Sequence, residues 1–176
     1  MSDAQAWEGG GVANEPDGFQ AYVVARQGDL LRLARMLTGD WASAEDLVQV
    51  SLERVWPRWN RIVREGDPDA YVRRVLVNAH LKSGRRRWRG EQPFADVPDR
   101  VDNDPFEAAD QRQTVQALLP SLPPRQRAVL VLRYFLDLTE PSVADLLGCS
   151  VGTVKSQTAK GLRKLREECD RRAVTP

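Results

Sequence analysis

Apolar residues recur every three or four positions along the first half of the chain, which is the spacing of amphipathic helices. Three such stripes precede residue 90. Their members are Leu30, Leu33, Ala34 and Leu37, then Ala44, Val48, Leu52 and Val55, then Val72, Val75, Leu76 and Ala79. Gly39 is expected to end the first helix and Asp40 to cap the second, and the third is predicted from about Asp69 to Arg87. No comparable run alternates with period two, so we expect no strands.

The second half of the chain predicts a further set of helices that ends in a helix-turn-helix. Val115, Leu118 and Leu119 begin it, with breaks at Pro120 and again at Pro123 and Pro124; Pro124 suits the first turn of the next helix. Thr139 is the candidate N-cap of a short helix that Gly148 ends, and Ser150 is the candidate cap of the last helix. The inward faces of these three helices are Val129, Leu132 and Leu136; Val143, Leu146 and Leu147; and Val151, Val154, Thr158, Leu162 and Leu165.

Residues 90–110 separate the two sets of helices. They contain Pro93, Pro98 and Pro105 and seven carboxylates against Arg100 alone, and they have no apolar face. The predicted fold class is therefore all-α, with two small helical domains joined by an acidic flexible linker. The predicted domains are 17–89 and 111–170, with flexible tails at 1–16 and 171–176.

The near-neutral net charge of +1 conceals a strongly uneven distribution. Residues 1–53 sum to −6, residues 54–89 to +8, residues 90–110 to −6 and residues 150–176 to +4. Because the basic segments are separated from the acidic ones along the chain, a nucleic-acid-binding function is compatible with the neutral total.

The last predicted helix has a polar face suited to the DNA major groove. Residues 150–166 contain five basic side chains and no acidic one. Gln157 can pair bidentately with adenine, and Lys160 can reach guanine or phosphate. An ordinary solvated face is the alternative interpretation. The candidate DNA-binding residues of this face are Thr153, Lys155, Ser156, Gln157, Lys160, Arg163 and Lys164.

The third predicted helix has a basic stripe, formed by Arg74, Asn78, Lys82 and Arg85 and extended by Arg86. The interval from Arg73 to Arg89 has seven positive charges and no negative one, which favours a polyanionic partner. Trp56, Trp59, Tyr71 and Trp88 flank the stripe, and aromatic faces there could stack on single-stranded bases. We expect Trp56 in the core. For Trp59 and Trp88 both alternatives, a place in the core or a base-stacking role, stay open.

The second predicted helix has an acidic face beside its apolar stripe. Asp46, Gln49 and Glu53 lie on it together with Glu45, and these groups would repel DNA. A basic protein surface is the better partner, although a face that only aids solubility is an equal alternative on charge alone.

Other classes of protein are disfavoured by what the sequence lacks. The N-terminal residues do not have the pattern of a secretory signal, and no apolar run has the length of a membrane span, so we expect a cytoplasmic protein. Cys149 and Cys169 are expected to be packing or surface residues, as is His80, the only histidine. No metal, cofactor or catalytic constellation is predicted.

Taken together, these motifs resemble the extracytoplasmic-function sigma factors of the sigma-70 family, in the family's order from about Phe19 to Glu168. Residues 44–49, Ala-Glu-Asp-Leu-Val-Gln, are similar to region 2.2, which implies that Asp46, Gln49 and Glu53 contact the clamp helices of the polymerase β′ subunit. Residues 69–87 are similar to regions 2.3 and 2.4, which implies that Tyr71, Arg74, Asn78, Lys82, Arg85 and Arg86 bind the −10 element. Residues 60–70 correspond to the family's specificity loop, which adds Asn60 to that set.

The second domain is the closer match to the family. Residues 122–127 and 146–156 resemble regions 4.1 and 4.2, which implies that the candidate DNA-binding residues of the last helix recognise the −35 element. Many members have an arginine at the position of Gln157. With glutamine there, the chain resembles the SigE-like actinobacterial branch of the family. Pro141 is also a departure from many members. The resemblance implies core RNA polymerase, including its β subunit, and promoter DNA as partners. It implies an anti-sigma factor in many members, although no residue here identifies one.

The sequence therefore favours a sigma factor, a non-catalytic subunit that directs polymerase to promoters. A helix-turn-helix regulator that acts without joining polymerase would explain the second domain equally well. It would leave the basic stripe and the acidic linker without a role. An RNA-binding or RNA-processing enzyme would explain the arginines, but the chain lacks a catalytic constellation for it.

Overall fold

Local signals set the boundaries of the helices in the first domain. The computed structural model describes residues 16–88 and 115–173, with side chains for 16–83 and 115–171. Helix α1 (Phe19–Thr38) ends at Gly39, whose φ of 101° is a left-handed conformation that favours glycine. Helix α2 (Trp41–Val55) begins after Asp40, whose carboxylate accepts a 2.7 Å hydrogen bond from the Ser43 N–H. Both boundaries agree with the sequence prediction.

A short 3₁₀ turn (Trp56–Arg58) leads from α2 into α3 (Trp59–Glu65), and α4 (Pro68–Trp88) follows. Helices α1, α2 and α4 pack on one another around a common core, and α3 packs against α4. The predicted stripes face this core, although Leu52 and Val75 are only partly buried. Val77, which the pattern did not assign to the core, is completely buried.

The second domain begins with helical residues 115–118 (α5) and a 3₁₀ turn (Leu119–Ser121) at the predicted Pro120 break. Helix α6 (Pro124–Leu130) follows with Pro124 in its first turn, as predicted, and continues into a π-helical turn (Val131–Phe135). In that turn the Leu136 N–H donates to the Val131 carbonyl at 3.2 Å, the i to i+5 bond that defines it. The periodicity gave no sign of this turn.

Helices α7 (Glu140–Leu147) and α8 (Val151–Ala173) complete the second domain, and both pack on neighbouring elements of it. Gly161 of α8 lies against Leu130 of α6, so that an added Cβ would come within 3.0 Å of the Leu130 Cδ1 atom. The described residues contain helices and no strand, which confirms the all-α class. The predicted linker 90–110 and tail 1–16 lie almost wholly outside the described residues, as do residues 174–176 of the C-terminal tail.

Candidate nucleic-acid interface

The recognition helix of the candidate helix-turn-helix is α8, and its start is fixed by Ser150. The Thr153 N–H donates a 3.1 Å hydrogen bond to Ser150 Oγ, which also lies 2.9 Å from Thr153 Oγ1. This cap satisfies one of the backbone N–H groups that a helix leaves unpaired at its N-terminus. The predicted caps at Ser150 and Thr139 are both present, since Ser142 N–H donates to Thr139 Oγ1 at 3.3 Å.

The turn between α7 and α8 depends on Gly148. Its φ of 60° and ψ of 46° are left-handed, and its N–H donates to the Asp145 carbonyl at 3.4 Å. This turn, which glycine adopts without a steric penalty, reverses the chain so that α7 packs across α8. The arrangement is the two-helix geometry that places a second helix against DNA.

The polar face of α8 lies on the side away from its buried residues, Val154 and Leu165. Lys155, Ser156, Lys160 and Arg163 are exposed, whereas Thr153, Gln157 and Lys164 are half-buried. Lys155 Nζ lies 3.8 Å from a Glu140 carboxylate oxygen, and Arg163 Nε lies 3.8 Å from a Glu167 carboxylate oxygen. Glu140 is half-buried and Glu167 is exposed, and surface pairs of this length contribute little, so phosphate groups could replace both carboxylates.

The basic stripe of the first domain lies on α4. Arg74 and Lys82 are exposed, and Tyr71 and Asn78 are half-buried at the same face of the helical repeat. Arg85 and Arg86 belong to the described backbone of α4, but their side chains lie outside the described residues. Arg74 Nη2 lies 3.7 Å from a carboxylate oxygen of Asp145, which belongs to α7 of the other domain.

The predicted loop 60–70 is wrong as a description of the local structure. Helix α3 occupies Trp59–Glu65 and α4 starts at Pro68, which leaves Gly66 and Asp67 as the turn. Gly66 takes a φ of 112°, and the Asp67 carboxylate accepts a 2.9 Å bond from the Ala70 N–H. Helix α3 gives only a weak helical pattern in the sequence, because few of its residues are apolar. Ile62 is buried, whereas Val63 is exposed. Asn60 is an exposed residue of α3.

The aromatic residues near the stripe separate into different environments. Trp59 is buried, and its indole N–H donates to the Asp17 carbonyl at 3.1 Å, so its ring is not available for base stacking. Trp56, which we expected in the core, is half-buried and lies edge-on to Phe19 at 4.9 Å between ring centroids. The side chain of Trp88 lies outside the described residues. His80 is buried, Cys149 packs partly against the core and Cys169 is exposed, all as expected.

The acidic face of α2 is exposed at all three predicted residues, Asp46, Gln49 and Glu53. The Gln49 side-chain amide donates to a Glu53 carboxylate oxygen at 3.3 Å. An apolar groove runs between α1 and α2 and shares Gln49 and Glu53 with this face; its other lining residues include Phe19, Glu45, Val48, Leu52 and Trp56. The groove was not predicted, because it forms only when α1 and α2 pack together.

The charge segregation seen along the sequence is thus also present in space. The acidic face lies on α2, the basic stripe on α4 and the basic recognition face on α8. The fold and these surfaces define a two-domain, all-helical DNA-binding protein with a helix-turn-helix. A helix long and apolar enough to cross a bilayer does not occur within residues 16–88 and 115–173.

Comparison with known proteins agrees with this class. The family described as Sigma-70 region 2 matches residues 23–90, and the family described as Sigma-70, region 4 matches residues 112–165. The RNA polymerase sigma-E factor of Streptomyces avermitilis is 40% identical over 154 residues, covering 88% of this chain and 86% of the relative. The ECF RNA polymerase sigma factor SigE of Mycolicibacterium smegmatis is 32% identical over 145 residues, covering 77% of this chain and 55% of the relative.

Solved structures share the fold. The sigma factor RpoE of Bartonella quintana, solved with the anti-sigma factor NepR, has a TM-score of 0.64 at 21% identity and covers 92% of this chain and 100% of its own. CnrH, solved with the cytosolic domain of CnrY, has a TM-score of 0.58 at 22% identity, covering 86% of this chain and 87% of its own. The chain belongs to the sigma-70 family, as a SigE-like factor of the extracytoplasmic-function type. It is a sigma factor that binds RNA polymerase and directs promoter-specific initiation. The rival hypothesis of a regulator that acts without joining polymerase is therefore wrong.

Proposed function

We propose that promoter recognition is divided among three helices of this chain. The acidic face of α2 docks on the β′ clamp helices of core polymerase, the basic stripe of α4 captures melted −10 DNA, and the polar face of α8 binds the −35 duplex. The observation that carries the proposal is the separation of these surfaces: one exposed acidic face and two exposed basic faces lie on three different helices.

The physical argument for α2 is one of charge. Asp46, Gln49 and Glu53 are exposed together, and a carboxylate-rich face repels DNA phosphates while it attracts a basic protein surface. The apolar groove next to it supplies area that a protein partner could bury. Electrostatics would then govern orientation and association rate, and the groove would add affinity.

The argument for α4 and α8 rests on their exposed cations. Lys82 and Arg74 on α4 and Lys160 on α8 can each neutralise a phosphate and release a counterion. On α8 the half-buried Gln157 lies among them, where its amide could pair with a base edge. We propose that Gln157 contributes base specificity and that the surrounding lysines position the helix.

These assignments predict which partner each helix touches in the initiation complex. A photo-crosslinking amino acid is introduced at position 53, 82 or 160 of the full chain, and complexes are formed with core polymerase and promoter DNA. We expect position 53 to crosslink to β′, position 82 to DNA near −10 and position 160 to DNA near −35. The exposed Val24 of α1 provides a control position. Crosslinks from 160 to the −10 region, or from 53 to DNA, would contradict the assignment.

We also propose an anti-sigma factor as a protein partner. RpoE of Bartonella quintana was solved with one, and CnrH with the cytosolic domain of CnrY. The groove between α1 and α2 is a surface suited to such a partner, because the half-buried Val23, Leu52 and Trp56 offer apolar contact area and Glu45 and Glu53 also line it. A partner bound there would compete with core polymerase for α2.

We propose further that the protein acts in the cytoplasm, where polymerase and DNA are, and that its contribution is binding alone. The chemistry of RNA synthesis then belongs entirely to the polymerase. The role of this chain is to supply the difference in affinity by which polymerase distinguishes promoters from other DNA.

A further inference from the structure

A carboxylate lies at the start of the helix that we assign to −10 DNA. Asp69 is the single acidic residue between positions 68 and 88, a segment that also contains six arginine and lysine residues. In the first turn of α4 a negative charge is favourable, because the N-terminus of a helix carries a partial positive charge. Beside DNA the same charge is unfavourable, because it repels phosphates. Asp69 is therefore expected to have a partner that balances its charge.

Arg26 of α1 is that partner. Its Nη2 atom lies 2.8 Å from Asp69 Oδ2, and the arginine and aspartate side chains are 45% and 28% exposed. Because α1 and α4 pack on each other, this ion pair lies across the contact between the two helices. The second contact of Arg26, from Nη1 to Asp29 Oδ2 at 3.8 Å, is longer and stays within α1.

Tyr22 lies one helical turn before Arg26 and approaches the same carboxylate. Its hydroxyl is buried without a hydrogen bond of normal geometry among the described residues, and the Asp69 carboxylate is the acceptor beside it. Burial and this neighbouring carboxylate raise the pKa of the Tyr22 phenol, so the phenol keeps its proton and can donate a hydrogen bond. One face of α1 therefore offers Asp69 both a cation and a hydroxyl donor.

The Tyr22 ring connects this cluster to α3. Its centroid lies 4.7 Å from that of Trp59, the first residue of α3. The starts of α1, α3 and α4 thus meet around Tyr22, and residues 66–67 form the turn between α3 and α4. Tyr71, which flanks the basic stripe, follows Asp69 by two residues. The position of the Tyr71 ring therefore depends on how the first turn of α4 is held.

We propose that Asp69 is a positioning residue for −10 recognition. Arg26 and Tyr22 hold its carboxylate and so fix the first turn of α4, which presents Tyr71 to the melted strand. The inference rests on the proposed role of α4 in binding −10 DNA. Phosphate contacts act on any sequence, whereas discrimination between bases depends on the positions of the groups that contact the bases. Loss of the carboxylate is therefore expected to reduce discrimination between −10 sequences more than overall affinity.

The test uses the full chain in complex with core polymerase and two single-stranded oligonucleotides. One has the −10 sequence obtained by selection from a promoter library, and the other differs at the base whose change costs most affinity. Discrimination is the ratio of the two dissociation constants. Asp69→Asn keeps the shape of the side chain and removes its charge. It is expected to lower this ratio about two- to fivefold, the size that a partly exposed ion pair supports, and to leave binding of a −35 duplex unchanged.

A double-mutant cycle shows whether the two charges act through each other. Arg26→Gln removes the other half of the pair at an exposed position and should give the same loss of discrimination. The double variant should lose no more than either single variant, because both changes remove one contact. Asp29→Asn is the matched control, since it removes a carboxylate that also pairs with Arg26 but belongs to α1. It should leave the discrimination ratio unchanged.

Several results would overturn the positioning role. These are unchanged discrimination in Asp69→Asn, losses that add in the double variant, or an equal loss in Asp29→Asn. Equal weakening for both oligonucleotides in Arg26→Gln, with a smaller salt dependence, would make Arg26 a phosphate contact and would also overturn it. Thermal unfolding followed by circular dichroism checks the fold; if Asp69→Asn does not fold, Arg26→Gln decides.

Lys82→Ala separates this inference from the proposed function of α4, because Lys82 is an exposed cation of the basic stripe. If Lys82→Ala weakens binding of neither oligonucleotide, the proposed role of α4 fails. If Lys82→Ala weakens binding of both while Asp69→Asn leaves discrimination unchanged, only the positioning role of Asp69 fails.

Discussion

Gly161 of α8 faces Leu130 of α6 at a distance where an added Cβ would crowd the leucine side chain. A Cβ at position 161 would lie 3.0 Å from Leu130 Cδ1 and 3.2 Å from Leu130 Cγ, and Leu130 is itself buried. Helices α6 and α8 therefore approach so closely here that an added side chain would require Leu130 to move. We expect the glycine to aid packing of the second domain, although it costs helix propensity.

Gly161→Ala is expected to lower the free energy of unfolding of the second domain by about 1 kcal/mol. Overpacking of a core contact typically costs roughly 1–3 kcal/mol, and the propensity gain of about 1 kcal/mol offsets part of it. Thermal unfolding followed by circular dichroism measures the change. Gly152→Ala is the matched control in the same helix, because its Cβ would meet only Ser150 Oγ at 3.7 Å. Equal melting temperatures for the two variants would show that Leu130 moves aside freely.

Ser150→Ala is expected to destabilise the start of α8 by about 1 kcal/mol, the usual cost of losing an N-cap hydroxyl. The Thr153 N–H would lose its 3.1 Å bond to Ser150 Oγ. Unfolding in urea measures the loss. Ser150→Asp should retain most of the stability, because a carboxylate can accept the same bond. Ser150→Asp would nevertheless weaken DNA binding, since it adds a negative charge beside the recognition face.

Asp46→Lys is expected to weaken binding to core polymerase by about 1–2 kcal/mol, or roughly five- to thirtyfold in Kd, because it reverses an exposed charge on the docking face. A fluorescence anisotropy titration of labelled protein with core enzyme measures the affinity at two salt concentrations. Asp170→Lys makes the same change of charge at an exposed residue of α8 and should leave the affinity for core enzyme unaltered. An equal loss in both variants would point to net charge alone and would remove Asp46 from the docking face.

Gln157→Ala is expected to relax −35 sequence preference by about 1–3 kcal/mol at one base pair while −10 selection stays intact. Selection from a promoter library with both elements randomised measures the preferences separately. Lys160→Ala is the contrasting variant, because loss of a phosphate contact should weaken binding across all sequences and reduce the salt dependence by about one counterion. A change confined to the −10 element in Gln157→Ala would contradict its assignment to −35 recognition.

Much of the local structure could be predicted from the sequence, because local interactions determine it. The caps at Asp40, Thr139 and Ser150 each bond to a backbone N–H three residues away, so their spacing is visible in the chain. Helix periodicity likewise identified most of the core stripes. The candidate faces on α2, α4 and α8 follow from the same periodicity, since a residue opposite the buried stripe faces solvent.

The features that sequence reasoning missed depend on contacts between distant residues. Arg127 resembled the other arginines in the chain, but it is buried because Leu37 and Thr38 supply acceptors 90 and 89 residues away. Trp59 is in the core because α1 begins at Phe19 and brings the Asp17 carbonyl to its indole. Helix α3 lacks a strong apolar stripe, and the loop expected there came from the resemblance to the family's specificity loop. In each case tertiary packing outweighed the local pattern.

The central claim is that this chain confers promoter specificity on RNA polymerase. Run-off transcription tests it most directly, with purified core enzyme and a promoter library, in the presence and absence of the protein. We expect defined transcripts only when the protein is added, from templates that share a −35 and a −10 sequence at fixed spacing. A protein that shifts DNA on its own but never gives promoter-specific transcripts with core enzyme would contradict the account.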